Sequence, residues 1–306
     1  MDRIAPATAA VLSALPDIKY LVNEPLKNHT SFRIGGPVRV MFFPESVKTL
    51  TENYQILSEH KVTPLILGNG TNILASDSPL DKVVIRTTEL RGCIRTGENE
   101  ITAEAGAPLR KISELARDCG LAGFEFAHGI PGALGGAVLM NAGAYGGEMK
   151  DVIHSTTAYD YENGEFTITG ADHDFSYRHS RFSDTRCVIL SSKIKLREGS
   201  AEEIGTMIDE LTARRRKTQP LDASSAGSVF KRPKEGYAAA LIELAGLRGL
   251  TVGGAQVSEK HAGFIINRGD ATFSDVTTLI DKVRETVSMF FNVELEPEIR
   301  IITNAD

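Results

Sequence analysis

Three segments of this 306-residue chain carry side chains able to move protons or hold charge. In Ala226-Gly227-Ser228-Val229-Phe230 a serine stands between a glycine and an apolar run. As a nucleophile, Ser228 would need a histidine base nearby. A hydrolase elbow would need glycine at position 230, which is Phe230, so hydrolysis is disfavoured. A turn serine bonding its own backbone is the plainer reading. The second segment is Tyr177-Arg178-His179-Ser180-Arg181-Phe182, at an expected strand boundary. A guanidinium there is always charged and can bind a carboxylate through two parallel bonds; a solvated basic loop is the alternative. The third is the end of the chain, read as a strand from Val293 to Ile302. Val293, Leu295, Ile299 and Ile301 then share one face, and Glu294, Glu296, Glu298 and Arg300 the other.

Two glycine segments add a different chemistry. Gly129 to Gly147 holds seven glycines in nineteen residues, interrupted by Ala137, Val138, Leu139 and Met140. Glycine is costly to order, and bare peptide N–H groups can cradle a phosphate that Cβ atoms would block. Gly68-Asn69-Gly70-Thr71-Asn72 follows a short apolar strand. A dinucleotide fingerprint would need glycine at Ile73 and a helix next, whereas Ser76-Asp77-Ser78-Pro79 follow. Neither segment has the Gly-Lys-Ser/Thr of a phosphate loop. Two backbone cradles suit an elongated ligand with a pyrophosphate.

Residues 1–30 form a helix and a connection. Strands lie near 38–43, 64–67, 82–86 and 101–105. A helix over 46–60 carries Val47, Leu50, Tyr54 and Leu57 at helical spacing. Pro108 opens another helix, and Gly120 ends it. Residues 152–197 are strand-rich, with a hairpin at Asn163-Gly164. Ser200 and Glu203 cap a helix that ends in Arg214-Arg215-Arg216-Lys217, cations suited to its negative end. Beyond 219–222 come helices near 237–245 and 274–291 and a strand near 262–267.

Composition bounds the function. A chain of 306 residues exceeds one ordinary core. Hydrophobic and charged fractions of 42% and 24% are those of a globular protein. No run of eighteen apolar residues and no basic-then-apolar start is present, so neither a membrane partner nor a signal peptide is expected. Cys93, Cys119 and Cys187 are too scattered for a metal cluster or a disulfide framework, which fits a reducing cytoplasm. A net charge of −6 weighs against nucleic acid and leaves room for a small anion.

Thr30-Ser31-Phe32-Arg33-Ile34-Gly35-Gly36, then Gly68 to Leu74, then Gly129 to Glu148, resemble in order and interval the FAD-binding segments of the UDP-N-acetylenolpyruvoylglucosamine reductase (MurB) family. The resemblance runs from about residue 28 to 302. It implies an α+β chain: a two-subdomain FAD-binding fold of the vanillyl-alcohol-oxidase (PCMH) type, residues 1–86 and 87–218, plus a C-terminal α+β substrate-binding domain, residues 219–306. It implies non-covalent FAD, held by Gly68, Asn69, Gly70, Thr71 and Asn72 and by Ile130, Pro131, Gly132, Ala133, Gly135, Gly136, Ala137, Asn141, Gly143 and Ala144. NADPH is the implied reducing cosubstrate, and the reaction reduces the enolpyruvyl ether of UDP-N-acetylglucosamine. The family pattern Tyr-Arg-x-Ser-x-Phe places Arg178 on the substrate carboxylate. Ser228 is then the proton donor to carbon, and Glu298 the acid that steadies the developing charge. Tyr145, Tyr177, Arg214, Lys217, Gln219, Gln256 and Arg300 are implied around the UDP-sugar. No room for a tyrosine-bearing loop exists between Ser180 and Ser228, so the resemblance is to the shorter type. Two other readings stand beside it: an FAD oxidase acting on an alcohol or amine, for which the glycine segments offer only His128 as a nearby tether, a role the resemblance does not give it, and a nucleotide-binding protein without turnover.

Overall fold

The computed structural model describes residues 2–305. The chain opens with α1 (Ile4–Ala14) and β1 (Lys19–Pro25). β1 lies where the sequence reads as a connection. Its Tyr20, Leu21 and Val22 are all exposed, so no alternation marks it. Next come β2 (Pro37–Phe43), α2 (Val47–Glu59), β3 (Leu65–Leu67), β4 (Ile73–Ala75) and β5 (Leu80–Arg86). α2 starts where its cap dictates: Ser46 Oγ accepts from the Thr49 amide, and Leu50, Tyr54 and Leu57 line its buried face. A strand, not a helix, follows the first glycine turn, as the residues beyond it require.

β6 (Cys93–Arg95), β7 (Glu100–Glu104), α3 (Leu109–Asp118) and β8 (Leu121–Ala122) follow. Gly120 takes the left-handed position after α3, with φ 66°. The long glycine stretch contains α4 (Leu134–Leu139) and a hairpin of β9 (Gly143–Ala144) and β10 (Gly147–Glu148). β11 (Ile153–Asp160) and β12 (Gly164–Thr169) form the expected hairpin, in which Asp160 Oδ1 accepts from the amides of Glu162 and Asn163. β13 (Val188–Lys195), β14 (Arg197–Glu198) and α5 (Ala201–Thr218) come next. The chain ends in β15 (Ser224–Ser228), α6 (Ala238–Leu244), β16 (Thr251–Val252), β17 (Ala255–Val257), β18 (Phe264–Asn267), α7 (Phe273–Phe291) and β19 (Arg300–Ile302).

Two compact units divide these elements. The first runs through Val22 and takes Arg39–Asn69 and Lys82–Arg214; the second takes Asn23–Val38, Gly70–Asp81 and everything from Arg215. One sheet has the order β1-β2-β5-β3, a second β12-β11-β13-β7-β6, and β9/β10 and β8/β14 form two-stranded pairs. Within the first unit Phe42, Leu50, Leu57 and Ile85 pack in one core, and Ile101, Ile112, Leu134 and Ile194 in another.

In the second unit the sheet order is β15-β18-β17-β16, and β4 and β19 form a separate parallel pair. Val276, Leu279, Ile280, Val283 and Val287 of α7 pack with Phe32, Ile34 and Leu74 from far earlier in the chain. The strand read over 293–302 is shorter than expected. Only Arg300–Ile302 is strand, and Pro297, which has no N–H, makes a single bridge to Phe230. Parity breaks there: Ile299 and Ile302 are buried, whereas Ile301 is 37% exposed and leaves the face assigned to it.

Candidate active site

Ser228 owes its place to a bulge. β15 pairs with β18 at Ser225↔Ile266 and again at Ser228↔Phe264, so three steps on one strand face two on the other. Gly227 absorbs the extra residue at φ 79°, a conformation that glycine adopts freely. Such bulges re-aim the next side chain and are frequent beside active sites. The chain then bonds to its own end. The Glu298 amide donates to the Val229 carbonyl at 2.7 Å, and the Lys231 amide to the Glu296 carbonyl at 2.9 Å. Ser228 and Glu298 are thus brought to neighbouring backbone positions from seventy residues apart. Asn72 fixes the same rung: its Nδ2 donates to the Glu298 carbonyl at 3.1 Å, and its carbonyl accepts from the Arg300 amide at 2.9 Å.

In the first unit the two glycine turns meet, because Asn69 Nδ2 donates to the Pro131 carbonyl at 3.4 Å. The glycines there have two different reasons. A Cβ on Gly143 would come within 2.7 Å of Glu148 Cγ, and one on Gly147 within 2.6 Å of the Phe126 ring. At Gly135 it would meet Ala105 Cβ at 3.0 Å, and the Gly135 amide already donates to the Ala105 carbonyl. Those positions are glycine for packing. Gly136 and Gly146 differ, since a Cβ there would meet nothing within 4 Å. An open backbone face of that kind is what a dinucleotide needs, so the segment fits FAD.

Arg178 stands in a tight turn, not at a strand boundary. Ser176 and His179 exchange backbone bonds of 3.1 and 3.3 Å, with Tyr177 and Arg178 at the corners. Arg178 holds φ 56° there, and its guanidinium carbon lies 4.9 Å from the centre of the half-exposed Tyr177 ring. Asn141 ties this turn to the glycine segment. It is fully buried, with Nδ2 donating to the Ser176 carbonyl at 2.9 Å and to Glu148 Oε2 at 3.0 Å, while Oδ1 accepts from the Lys150 amide. Both of its side-chain donors and its amide oxygen are thus engaged inside the protein. The Ser180 and Ser183 hydroxyls both donate to the Leu139 carbonyl, at the end of α4.

Of the residues expected around a UDP-sugar, Tyr145 and Arg214 are brought together: the guanidinium carbon lies 5.3 Å from the ring centre. The buried Tyr145 Oη and the buried Gln219 Oε1 make no hydrogen bond within the protein. Gln256 instead spends its Nε2 on the Gly249 carbonyl and Thr251 Oγ1. Lys217 and Arg300 are exposed. The ion pair to Lys150 at 2.7 Å, with Asn141 and the charge of Arg178 in support, holds the Glu148 carboxyl below its usual range. Burial lowers the pKa of His128, whose Nδ1 lies 3.4 Å from Thr212 Oγ1. Among the described residues no group of three metal-ligating side chains exists, and no helix is long and apolar enough to cross a membrane.

A profile for the UDP-N-acetylenolpyruvoylglucosamine reductase C-terminal domain matches residues 219–302, and a profile for an FAD binding domain matches residues 38–170. The UDP-N-acetylenolpyruvoylglucosamine reductase of Caldanaerobacter subterraneus subsp. tengcongensis is 48% identical over 94% of this chain and 95% of its own. That of Limosilactobacillus reuteri is 44% identical over 97% and 100%. The crystal structure of the Thermus caldophilus enzyme superposes with a TM-score of 0.79 at 30% identity, over 94% of this chain and 99% of that one.

Proposed function

This chain belongs to the UDP-N-acetylenolpyruvoylglucosamine reductase (MurB) family, and from that premise we propose that Arg178, Ser228 and Glu298 carry its reaction. It is an FAD-dependent oxidoreductase. It uses NADPH to reduce UDP-N-acetyl-3-O-(1-carboxyvinyl)glucosamine to UDP-N-acetylmuramate, in peptidoglycan precursor synthesis.

The two-electron hydride chemistry between NADPH and the vinyl group is what FAD supplies when bound. The chain's own residues do the rest. Hydride at the terminal vinyl carbon leaves negative charge on the neighbouring carbon, spread into its carboxylate. Arg178 grips that carboxylate. Glu298, carrying its proton, donates a hydrogen bond to the same charge. Ser228 gives its hydroxyl proton to the carbon, which completes the saturation of the double bond. A serine is a weak acid in water and serves here because the carbanion it meets is strongly basic. Tyr145, Arg214, Lys217 and Gln219 are assigned to the UDP moiety, a role supported by the two buried oxygens without protein partners. Residues 1–86 and 87–218 are assigned to the flavin and 219–306 to the substrate. A cytoplasmic setting accords with a nucleotide-linked substrate.

One observation carries the assignment: the Glu298 amide bonds the carbonyl next to Ser228, so acid and hydroxyl share one strand crossing. Ser228→Ala tests it. The variant is expected to keep flavin that NADPH bleaches. Recovery of the oxidised spectrum on adding the enolpyruvyl sugar should slow by about a hundred- to a thousandfold. Recovery at the normal rate removes Ser228 from the proton transfer.

A further inference from the structure

We propose that Asn141 is a positioning residue for substrate reduction, setting Arg178 by clamping the carbonyl of Ser176. The inference rests on Arg178 as the carboxylate-binding group.

The turn that presents Arg178 is short and strained. Arg178 sits at φ 56°, a left-handed conformation that residues other than glycine adopt only at a cost. Such a conformation persists only where the surroundings over-determine it. Two backbone bonds close the turn, and the longer of them, from the His179 amide, ends on the Ser176 carbonyl at 3.3 Å. Asn141 Nδ2 reaches the same oxygen at 2.9 Å, from a side chain with no exposure at all. Its second donor is fixed by Glu148 and its acceptor by the Lys150 amide, so the amide cannot rotate away. Ser180 and Ser183 hold the far end of the turn to the Leu139 carbonyl. Asn141 itself lies at φ 41°, just past the end of α4, where asparagine is tolerated better than most residues. One residue therefore takes the left-handed position just past the helix of the glycine segment and, through its side chain, holds the corner on which Arg178 stands.

Two variants test this with different liabilities. Asn141→Asp keeps the shape but replaces a donor by an oxygen facing the Ser176 carbonyl and Glu148. Asn141→Gly keeps the left-handed backbone and deletes all three bonds. Each is expected to raise KM for the enolpyruvyl sugar about tenfold or more, the loss that follows when a buried hydrogen bond is broken. Reduction of the saturated flavin by NADPH should stay within about twofold. Hydrogen exchange at the His179 amide should speed up in both. Arg178→Ala is measured alongside, and adding Asn141→Gly to it should cause little further rise in KM. Should Arg178→Ala leave KM unchanged, the carboxylate role of Arg178 fails and the inference goes with it. Should Arg178→Ala raise KM while both Asn141 variants bind substrate normally, the inference alone is overturned. A lower melting temperature with normal KM would also overturn it, because that marks a purely structural asparagine.

Discussion

Full burial makes His173 a proton-sensitive strut. Its ring stacks on Phe175 with centres 4.8 Å apart, Nδ1 lies 3.0 Å from the Gly170 carbonyl, and Nε2 lies 2.9 Å from Thr156 Oγ1. Desolvation lowers its pKa from 6.5, only partly offset by the bond to Gly170. The unfolded chain therefore takes up protons first as pH falls. Stability is intact above about 6.5 and declines below it. His128 and His261 shift in the same direction, whereas Asp184 raises His179. The melting temperature should drop between pH 7 and pH 5, and less steeply in His173→Gln than in the parent. Equal slopes in the two proteins would clear His173. At this scale the motifs nominate Ser228 and Glu298, and the chain brings their backbone positions side by side through the Glu298 amide and the Val229 carbonyl. The resemblance placed Asn141 among the flavin-holding residues and not as a clamp on the Ser176 carbonyl. A buried asparagine and a ligand-facing one look alike in a glycine-rich run, and only its place just after an apolar helical turn was a usable signal.

Among elements, the glycine segments make opposite predictions at two positions. Gly70 holds φ 63°, and a Cβ there would sit 2.1 Å from the His29 carbonyl oxygen. Gly70→Ala should destabilise the protein by at least about 2 kcal/mol in a denaturant titration, from backbone strain and the clash together. Gly136 lies within α4 and its Cβ would enter open space. Gly136→Ala should stabilise the FAD-free protein by about 0.5–1 kcal/mol, yet weaken FAD about tenfold or more in a flavin titration. Undiminished FAD affinity would place the cofactor elsewhere. Helix α2 was legible from its apolar spacing, and the fold adds the Ser46 cap; α4, inside the glycine stretch, was not read as a helix. β1 was not legible either, since it presents Tyr20, Leu21 and Val22 to solvent without alternation. The last strand was overread, because alternation over 293–301 survives a proline that a ladder does not.

For the whole molecule, the second unit is not one stretch of chain. Phe32, Ile34 and Leu74 are almost wholly buried in its core, and Asn267 Nδ2 donates to the Phe32 carbonyl at 3.0 Å. β19 has β4 as its partner strand, and Ser31 Oγ donates to the Ser225 carbonyl at 2.6 Å. A fragment from residue 215 to the end is therefore expected to lack a cooperative melt by circular dichroism. Leaving out Phe32 or Leu74 alone matches a core truncation of about 2–5 kcal/mol. A sharp transition in that fragment would show its core to be self-sufficient. Which distant segments complete a core is not a local property, so neither motif nor periodicity carried it.

That arrangement also sets an order of events during translation. At roughly 5–20 residues per second, Leu74 leaves the ribosome roughly ten to forty-five seconds before Ile299. Through that interval two early apolar segments wait, exposed, for partners not yet made.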